Sequence, residues 1–187
     1  MAATLTYQAV LALAIDVTMA YANGANTGPL RPRFAANVNL ANGTTDGKID
    51  RAWYGTYSGI GSSVTTTIDL AGALTDPTGA TISFAEVCAI FIRNKSSTAV
   101  NGIKVGPAAS NGFGIEGSNK GFWADASDRN FVQADSTADI TGGGSCLLLY
   151  NISGCPVVAG TGDQFVIITG GSASGAAFEV LVLGRSA

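Results

Sequence analysis

The amino-acid sequence predicts an all-β protein, a jelly-roll-like β-sandwich with an extended N-terminal strand or arm. Three observations carry that expectation. Short apolar stretches recur at regular spacing, separated by turn chemistry at Asn42-Gly43, Asp76-Pro77, Asn111-Gly112, Gly142-Gly143-Gly144, Gly160-Thr161-Gly162 and Gly170-Gly171. Nowhere does a helical amphipathic period persist beyond about two turns. The run Phe84–Asn94 is apolar at both parities, Val87, Ala89 and Phe91 on one and Cys88, Ile90 and Ile92 on the other. A run too short for a helix and apolar on both faces predicts a central strand covered on both sides.

Taken in order, the chain begins with a long alternating stretch. Leu5, Tyr7, Ala9, Leu11, Leu13, Ile15, Val17 and Met19 share one parity, with Thr6, Gln8, Asp16 and Thr18 on the other. Tyr7, Leu11, Ile15 and Met19 also stand four apart, so a helix competes, but the strict alternation and the threonines favour a strand. It exceeds the usual strand length, so it either bends between two sheets or reaches a neighbouring subunit. Asn23–Arg33, with two prolines and two glycines, reads as an irregular loop. Strands are then expected at 37–40, 48–57, 63–70, 81–93, 102–105, 112–115, 121–124, 130–134, 145–152, 164–169 and 176–183. In 63–70, Val64, Thr66, Ile68 and Leu70 share one side and the polar Ser63, Thr65, Thr67 and Asp69 the other, as expected of a strand with one wet face. The final strand is apolar on one face (Phe178, Val180, Val182) and nearly so on the other (Ala177, Glu179, Leu181, Leu183), as expected of a buried strand or an edge covered by another subunit. Two domains follow: residues 1–36, a strand or arm with a Pro-rich loop, and residues 37–187, the sandwich.

Composition narrows the function. Only 12% of residues are charged against 47% hydrophobic, below the roughly one quarter usual for soluble domains, and 25 glycines serve many tight turns. Such a surface suits concealment in an assembly. Net charge is −3 and the ten Lys and Arg are scattered, which gives no basic stripe for nucleic acid. The chain has no histidine, which removes Ser-His-Asp and Cys-His nucleophiles and imidazole metal sites. The expectation is a protein that is not an enzyme and needs no cofactor or metal. Cys88, Cys146 and Cys155 read as buried reduced thiols, while a Cys146–Cys155 bridge across a hairpin stays open and the spacing fits no zinc motif. Leu11–Ile15 and Ala20-Tyr21-Ala22 imitate a signal peptide, but no basic residue precedes them and Asp16 interrupts them. No apolar run is long enough for a membrane-spanning helix.

Several motifs invite a chemical reading. Gly112-Phe113-Gly114-Ile115-Glu116-Gly117 matches G-x-G-x-x-G, yet no helix start follows to meet a pyrophosphate. Asn42–Asp50 resembles half of a calcium loop, but Trp53 stands where the bidentate carboxylate belongs, so a hairpin turn is expected. The pairs Asp125/Asp128 and Asp135/Asp139 read as loop carboxylates rather than a glycosidase pair. Trp53, Tyr54 and Tyr57, with Phe122 and Trp123, offer either core or subunit-interface packing or a platform for stacking on sugar, and Trp53 and Tyr57 share one parity of a strand. Arg31 and Arg33 are candidate contacts for an acidic partner surface. The candidate partner contacts are therefore Arg31, Arg33, Trp53, Tyr57 and Trp123.

Leu40–Thr44, Ile68–Asp76, the central strand, Val105–Phe113, Val158–Asp163 and the closing Phe178–Gly184 together resemble small all-β virion proteins encoded among the structural genes of tailed bacteriophages. The resemblance spans residues 37–187. It departs at Gly142-Gly143-Gly144-Ser145, where a Pro-Gly-Gly pattern is expected, and it does not reach the first 36 residues. It implies a virion structural protein: a capsid decoration, or cement, protein that stabilises a tailed phage head by bridging capsomers. The implied partners are the major capsid protein and copies of itself, as a homotrimer, with neither nucleic acid nor membrane. The implied location is the capsid surface of the virion, after synthesis in the host cytoplasm. The alternative is a tail or fibre-associated receptor-binding module. The resemblance supplies no catalytic residues.

Overall fold

The computed structural model describes residues 8–16, 19–23, 26–30, 33–76, 78–115, 121–134 and 145–186. It is built almost wholly of strands. The N-terminal part holds β1 (Ala9–Asp16), β2 (Met19–Asn23), β3 (Asn26–Leu30), β4 (Arg33–Asn42) and the short β5 (Lys48–Ile49). The body holds β6 (Arg51–Ile60), β7 (Thr65–Asp69), the short pair β8 (Leu74–Thr75) and β9 (Thr81–Ile82), and β10 (Glu86–Asn94). A 3-10 turn, Ala99–Asn101, precedes β11 (Ile103–Pro107); β12 (Asn130–Val132), β13 (Cys146–Pro156), β14 (Gln164–Thr169) and β15 (Ala176–Arg185) complete it.

The eight main strands of the body pair from the outside in. The first pairs with the last (β6–β15), then β7 with β14, β10 with β13 and β11 with β12, all antiparallel. Nested pairing of this kind is a long antiparallel ribbon rolled up on itself. The additional pairs β10–β15 and β11–β14 join its turns into two four-stranded sheets, β13-β10-β15-β6 and β12-β11-β14-β7. The result is the jelly-roll sandwich expected from the sequence. The main core lies between the sheets: Ile90, Ile92, Phe178, Val180 and Val182 from one meet Ile68, Ile103, Val105, Phe165 and Ile167 from the other. All are at most 1% exposed, and each contributes roughly 1.5–3 kcal/mol by leaving water.

The central strand is β10, but its faces are not those of simple alternation. A bulge between Val87 and Ala89 shifts its register against both β13 and β15. An extra residue reverses parity on one side of the bulge. Val87 therefore joins Ile90 and Ile92 in the inter-sheet core, while Cys88 and Ala89 both belong to the second cluster. Gly184, opposite Val87 on β15, allows the close approach here: a Cβ on it would lie 2.2 Å from the Glu86 carbonyl oxygen and 2.7 Å from the Phe84 ring.

The N-terminal stretch is a β-ribbon. β1 pairs with β4 from Ala9↔Leu40 to Asp16↔Arg33, and β2 with β3 from Met19↔Leu30 to Asn23↔Asn26. Partner numbers add to the same total in both ladders, so the two share one register. This corrects two expectations. The described part of 5–19 is divided between β1 and β2, and β3 occupies much of the segment 23–33 that was expected to be irregular. Pro29 is accommodated because β3 belongs to a two-stranded sheet, where its missing N–H can face outward. β4 runs past residue 36, so the ribbon ends at Asn42. Its end is tied in parallel to β5 through Ala41↔Lys48 and Asn42↔Ile49. The intervening Gly43–Gly47 segment is thus a compact loop between parallel strands, not a hairpin turn.

Other expectations shift locally. No strand forms at 112–115 or, among described residues, at 121–124: Gly112 and the Ile115–Trp123 pair make isolated bridges only. Cys146 is exposed, whereas Cys88 and Cys155 are buried. Cys146 and Cys155 stand at opposite ends of the same strand, about 30 Å apart along it, against the roughly 7 Å limit for a disulfide.

Candidate interaction surface

The β13-β10-β15-β6 sheet has a second apolar face, directed away from the sandwich core. Period two along each strand places Ala89 and Phe91, Leu181 and Leu183, Leu148 and Tyr150, and Ala52 and Tyr54 on it. The ribbon covers one end. Leu40 and Ile49, both 1% exposed or less, pack with Cys88, Ala89 and Leu183, and Ala9, Val38, Ala52, Tyr150 and Leu181 flank them. Beyond this patch the face opens into a groove of about 260 Å³ lined by Ala9, Val10, Phe91, Leu148, Leu181 and their neighbours. Leu148 is 47% exposed and Val10 61%. The full double-sided cover expected for β10 is therefore only partial.

A charged cluster sits at the far end of the same face. Glu179, 8% exposed, accepts the Arg93 guanidinium at 2.5 Å, the Lys95 ammonium at 3.7 Å and the Tyr54 hydroxyl at 2.8 Å. Arg93 and Glu179 are cross-strand partners, and Tyr54 reaches Glu179 from β6. Donating this hydrogen bond to Glu179, with some desolvation, raises the Tyr54 pKa above its ordinary value. Burial does the same for Tyr150 and for the Cys88 thiol, which makes Cys88 a poor nucleophile. The arrangement clamps adjacent strands and leaves a partly exposed Arg and Lys at the rim of an apolar groove.

The opposite end is anchored by Arg185. Its side chain is 2% exposed and donates to Glu86 at 2.5 Å, Asp46 at 2.9 Å, and the carbonyls of Thr45 and Ser153 at 2.9 and 2.5 Å. One guanidinium thereby binds β15 to β10, to β13 and to the loop after β4. Asp50 adds a second tie, accepting the Ser186 amide and hydroxyl, both at 2.7 Å. The root of the ribbon is thus fixed by charge-assisted bonds as well as by packing.

The residues nominated from sequence are dispersed. Trp53 and Tyr57 lie together on the inner face of β6, with a Cβ on Gly55 blocked at 2.6 Å by the Trp53 ring, and both pack against the main core. Tyr57 stacks on Phe178 with centroids 4.8 Å apart. Trp123 is 4% exposed, edge-on to Phe122, and its indole N–H has no acceptor among the described residues. Arg33 stands opposite Asp16 in the ribbon ladder, and Arg31 lies outside the described residues, as do Asp135 and Asp139. Asp125 and Asp128 cap their own turn, Asp128 accepting the Ala124 amide and Asp125 the Ser127 hydroxyl. Sequence reading did not single out Leu148 or Arg185, offered Tyr54 only as one of the aromatics beside Trp53 and Tyr57, and placed Glu179 only as the charge in the final strand. Their available signals were faint: a charge at an outward parity of an apolar strand, and an arginine closing one.

No protein-family model, curated protein or solved structure matches the chain.

Proposed function

We propose that the chain is a structural assembly protein that acts by docking against other protein copies, and that within this class it is a capsid decoration protein of a tailed-phage head. The observation that carries the assembly reading is the apolar outer face of the β10 sheet, which the ribbon covers at one end only. Five of the described carboxylates support it: Asp46, Asp50, Asp125, Asp128 and Glu179 serve structural hydrogen bonds or ion pairs. The decoration reading rests on the resemblance of residues 37–187 to phage virion proteins. Its physical logic is linkage: a protein that buries surface across neighbouring capsomers binds the closed shell and stabilises it by mass action. A trimer suits the local threefold positions of such a shell. The receptor-binding alternative would use an exposed aromatic platform, and Trp53, Tyr57 and Trp123 are directed into packing instead.

The test is immunolabelling of purified virions with antibody against this chain, combined with a truncation of residues 1–36. Labelled heads, with labelling lost on truncation, are the expected result. Labelled tails would favour the alternative, and unlabelled particles would remove the virion reading.

A further inference from the structure

We infer that the open part of the outer face is the seat for the N-terminal ribbon of a second copy of this chain, so that copies associate by exchanging ribbons. This rests on the assembly reading and specifies its contact. The chain's own fold shows what chemistry this face accepts. At the ribbon root, Ala9 and Leu40 are register partners; Leu40 is fully buried on the sheet and Ala9 packs beside it. The next position of the same parity is Leu11, opposite Val38, which also packs there. The same parity continues as Leu13 opposite Ala36 and Ile15 opposite Phe34. The ribbon thus repeats, along its length, the residue types that seat its root.

A two-stranded ribbon is marginal alone in water, and a parity made only of Leu, Ile, Val, Phe and Ala needs cover. Among the described residues β1 pairs with β4, and β2 and β3 pair with each other. The same chain therefore carries a ribbon whose one parity is apolar in sequence and an apolar sheet face that the ribbon root covers at one end only. The two match in hydrogen-bonding character as well, since β1 and β4 satisfy each other's backbone and need only an apolar floor. The five ladder pairs beyond the root, Ala12 to Asp16, span roughly 17 Å and two strands about 10 Å, so one seated ribbon removes on the order of 350 Å² from water, counted on both surfaces. Reciprocal exchange, on the order of 700 Å², falls below ~1,200 Å² in the range of weak, transient interfaces, which fits association at micromolar and higher concentrations. Arg93 and Lys95 mark the far limit of the seat, where Glu179 holds them.

The experiment uses the full chain and isotope-labelled mixtures. Sedimentation velocity over roughly 1–100 µM is expected to show a concentration-dependent oligomer. Leu148→Lys on the sheet face and Leu13→Lys on the ribbon are each expected to weaken association about tenfold or more. Lys104→Glu, exposed on the other sheet, is expected to leave it unchanged. Mixing the two weakened variants is expected to restore a mixed dimer, because each retains the element the other lacks, and this outcome also shows that both are folded. Benzoylphenylalanine at position 148, in a mixture of labelled and unlabelled chains, is expected to cross-link to residues 9–16 or 33–42 of the other copy. A monomer throughout the concentration range, association unaffected by both substitutions, or cross-links to sandwich residues or within one copy would overturn the inference. Ribbon exchange without virion labelling would leave it standing and remove the capsid reading; labelled heads with a monomeric chain would do the reverse.

Discussion

Replacing Arg185 by Met tests whether the ribbon root is held by charge as well as by packing. The guanidinium is 2% exposed and donates to four acceptors, so its removal strips each of a partner. The contributions differ. Asp46 is 73% exposed and rehydrates when released, so its share is below about 1 kcal/mol. Glu86 is 29% exposed and its charge-assisted bond is harder to replace. The Thr45 and Ser153 carbonyls each lose a charged donor, at roughly 1–3 kcal/mol for any acceptor left dry. Breaking a buried ion pair by removing one partner typically costs about 3–5 kcal/mol, and that is the loss expected for Arg185→Met. Urea unfolding measures it, with an unchanged m-value marking a native-state effect. Asp46→Asn is the internal control and should cost less than about 1 kcal/mol. Removing one partner leaves the other acceptors unpaired, unlike replacement of a whole ion pair by apolar side chains, so a loss under ~1 kcal/mol or a gain for Arg185→Met would refute the reasoning.

Three further outcomes follow from the same coordinates. Gly184→Ala forces a Cβ against the Glu86 carbonyl at 2.2 Å and should destabilise by about 2 kcal/mol or more in thermal or urea unfolding, whereas Gly61→Ala, whose nearest neighbour is a Val64 methyl at 4.0 Å, should stay within about 1 kcal/mol. In native protein a maleimide should modify Cys146 quickly and Cys88 and Cys155 slowly, with all three reacting in denaturant; three equal native rates would contradict the burial pattern. The folded Tyr54 pKa lies above its unfolded value, so the folded state holds that proton more tightly. The stabilisation is complete below the unfolded pKa near 10 and is lost as pH rises through the folded one; Tyr54→Phe should abolish that alkaline component in pH-dependent unfolding, and an unaltered profile would count against the Glu179 bond.

Much of the fold was legible because strands announce themselves locally. Period two put Phe178, Val180 and Val182 on one face and Glu179 and Leu181 on the other, and the Gly- and Asn-rich turns placed most strand ends within a few residues. The errors arose where pairing partners decide. A bulge at Cys88 depends on both neighbouring strands, so the parity of Val87 and Ala89 could not be taken from alternation. Pro29 fits a strand only because β3 needs no partner on that side. Trp123 is buried because Gly114 and Phe122 come to meet it, contacts that no local pattern announces.

By itself the sequence determined the all-β class, the alternating faces and the low-charge surface, since these depend on spacing and composition along one segment. The nested order of the strands, the anchoring of the ribbon by Arg185, and the pairing of an apolar groove with a charged rim at Glu179 were decided only in the tertiary structure. Each joins residues 25 to 140 positions apart, and such distant pairs become neighbours only once the whole ribbon has rolled up.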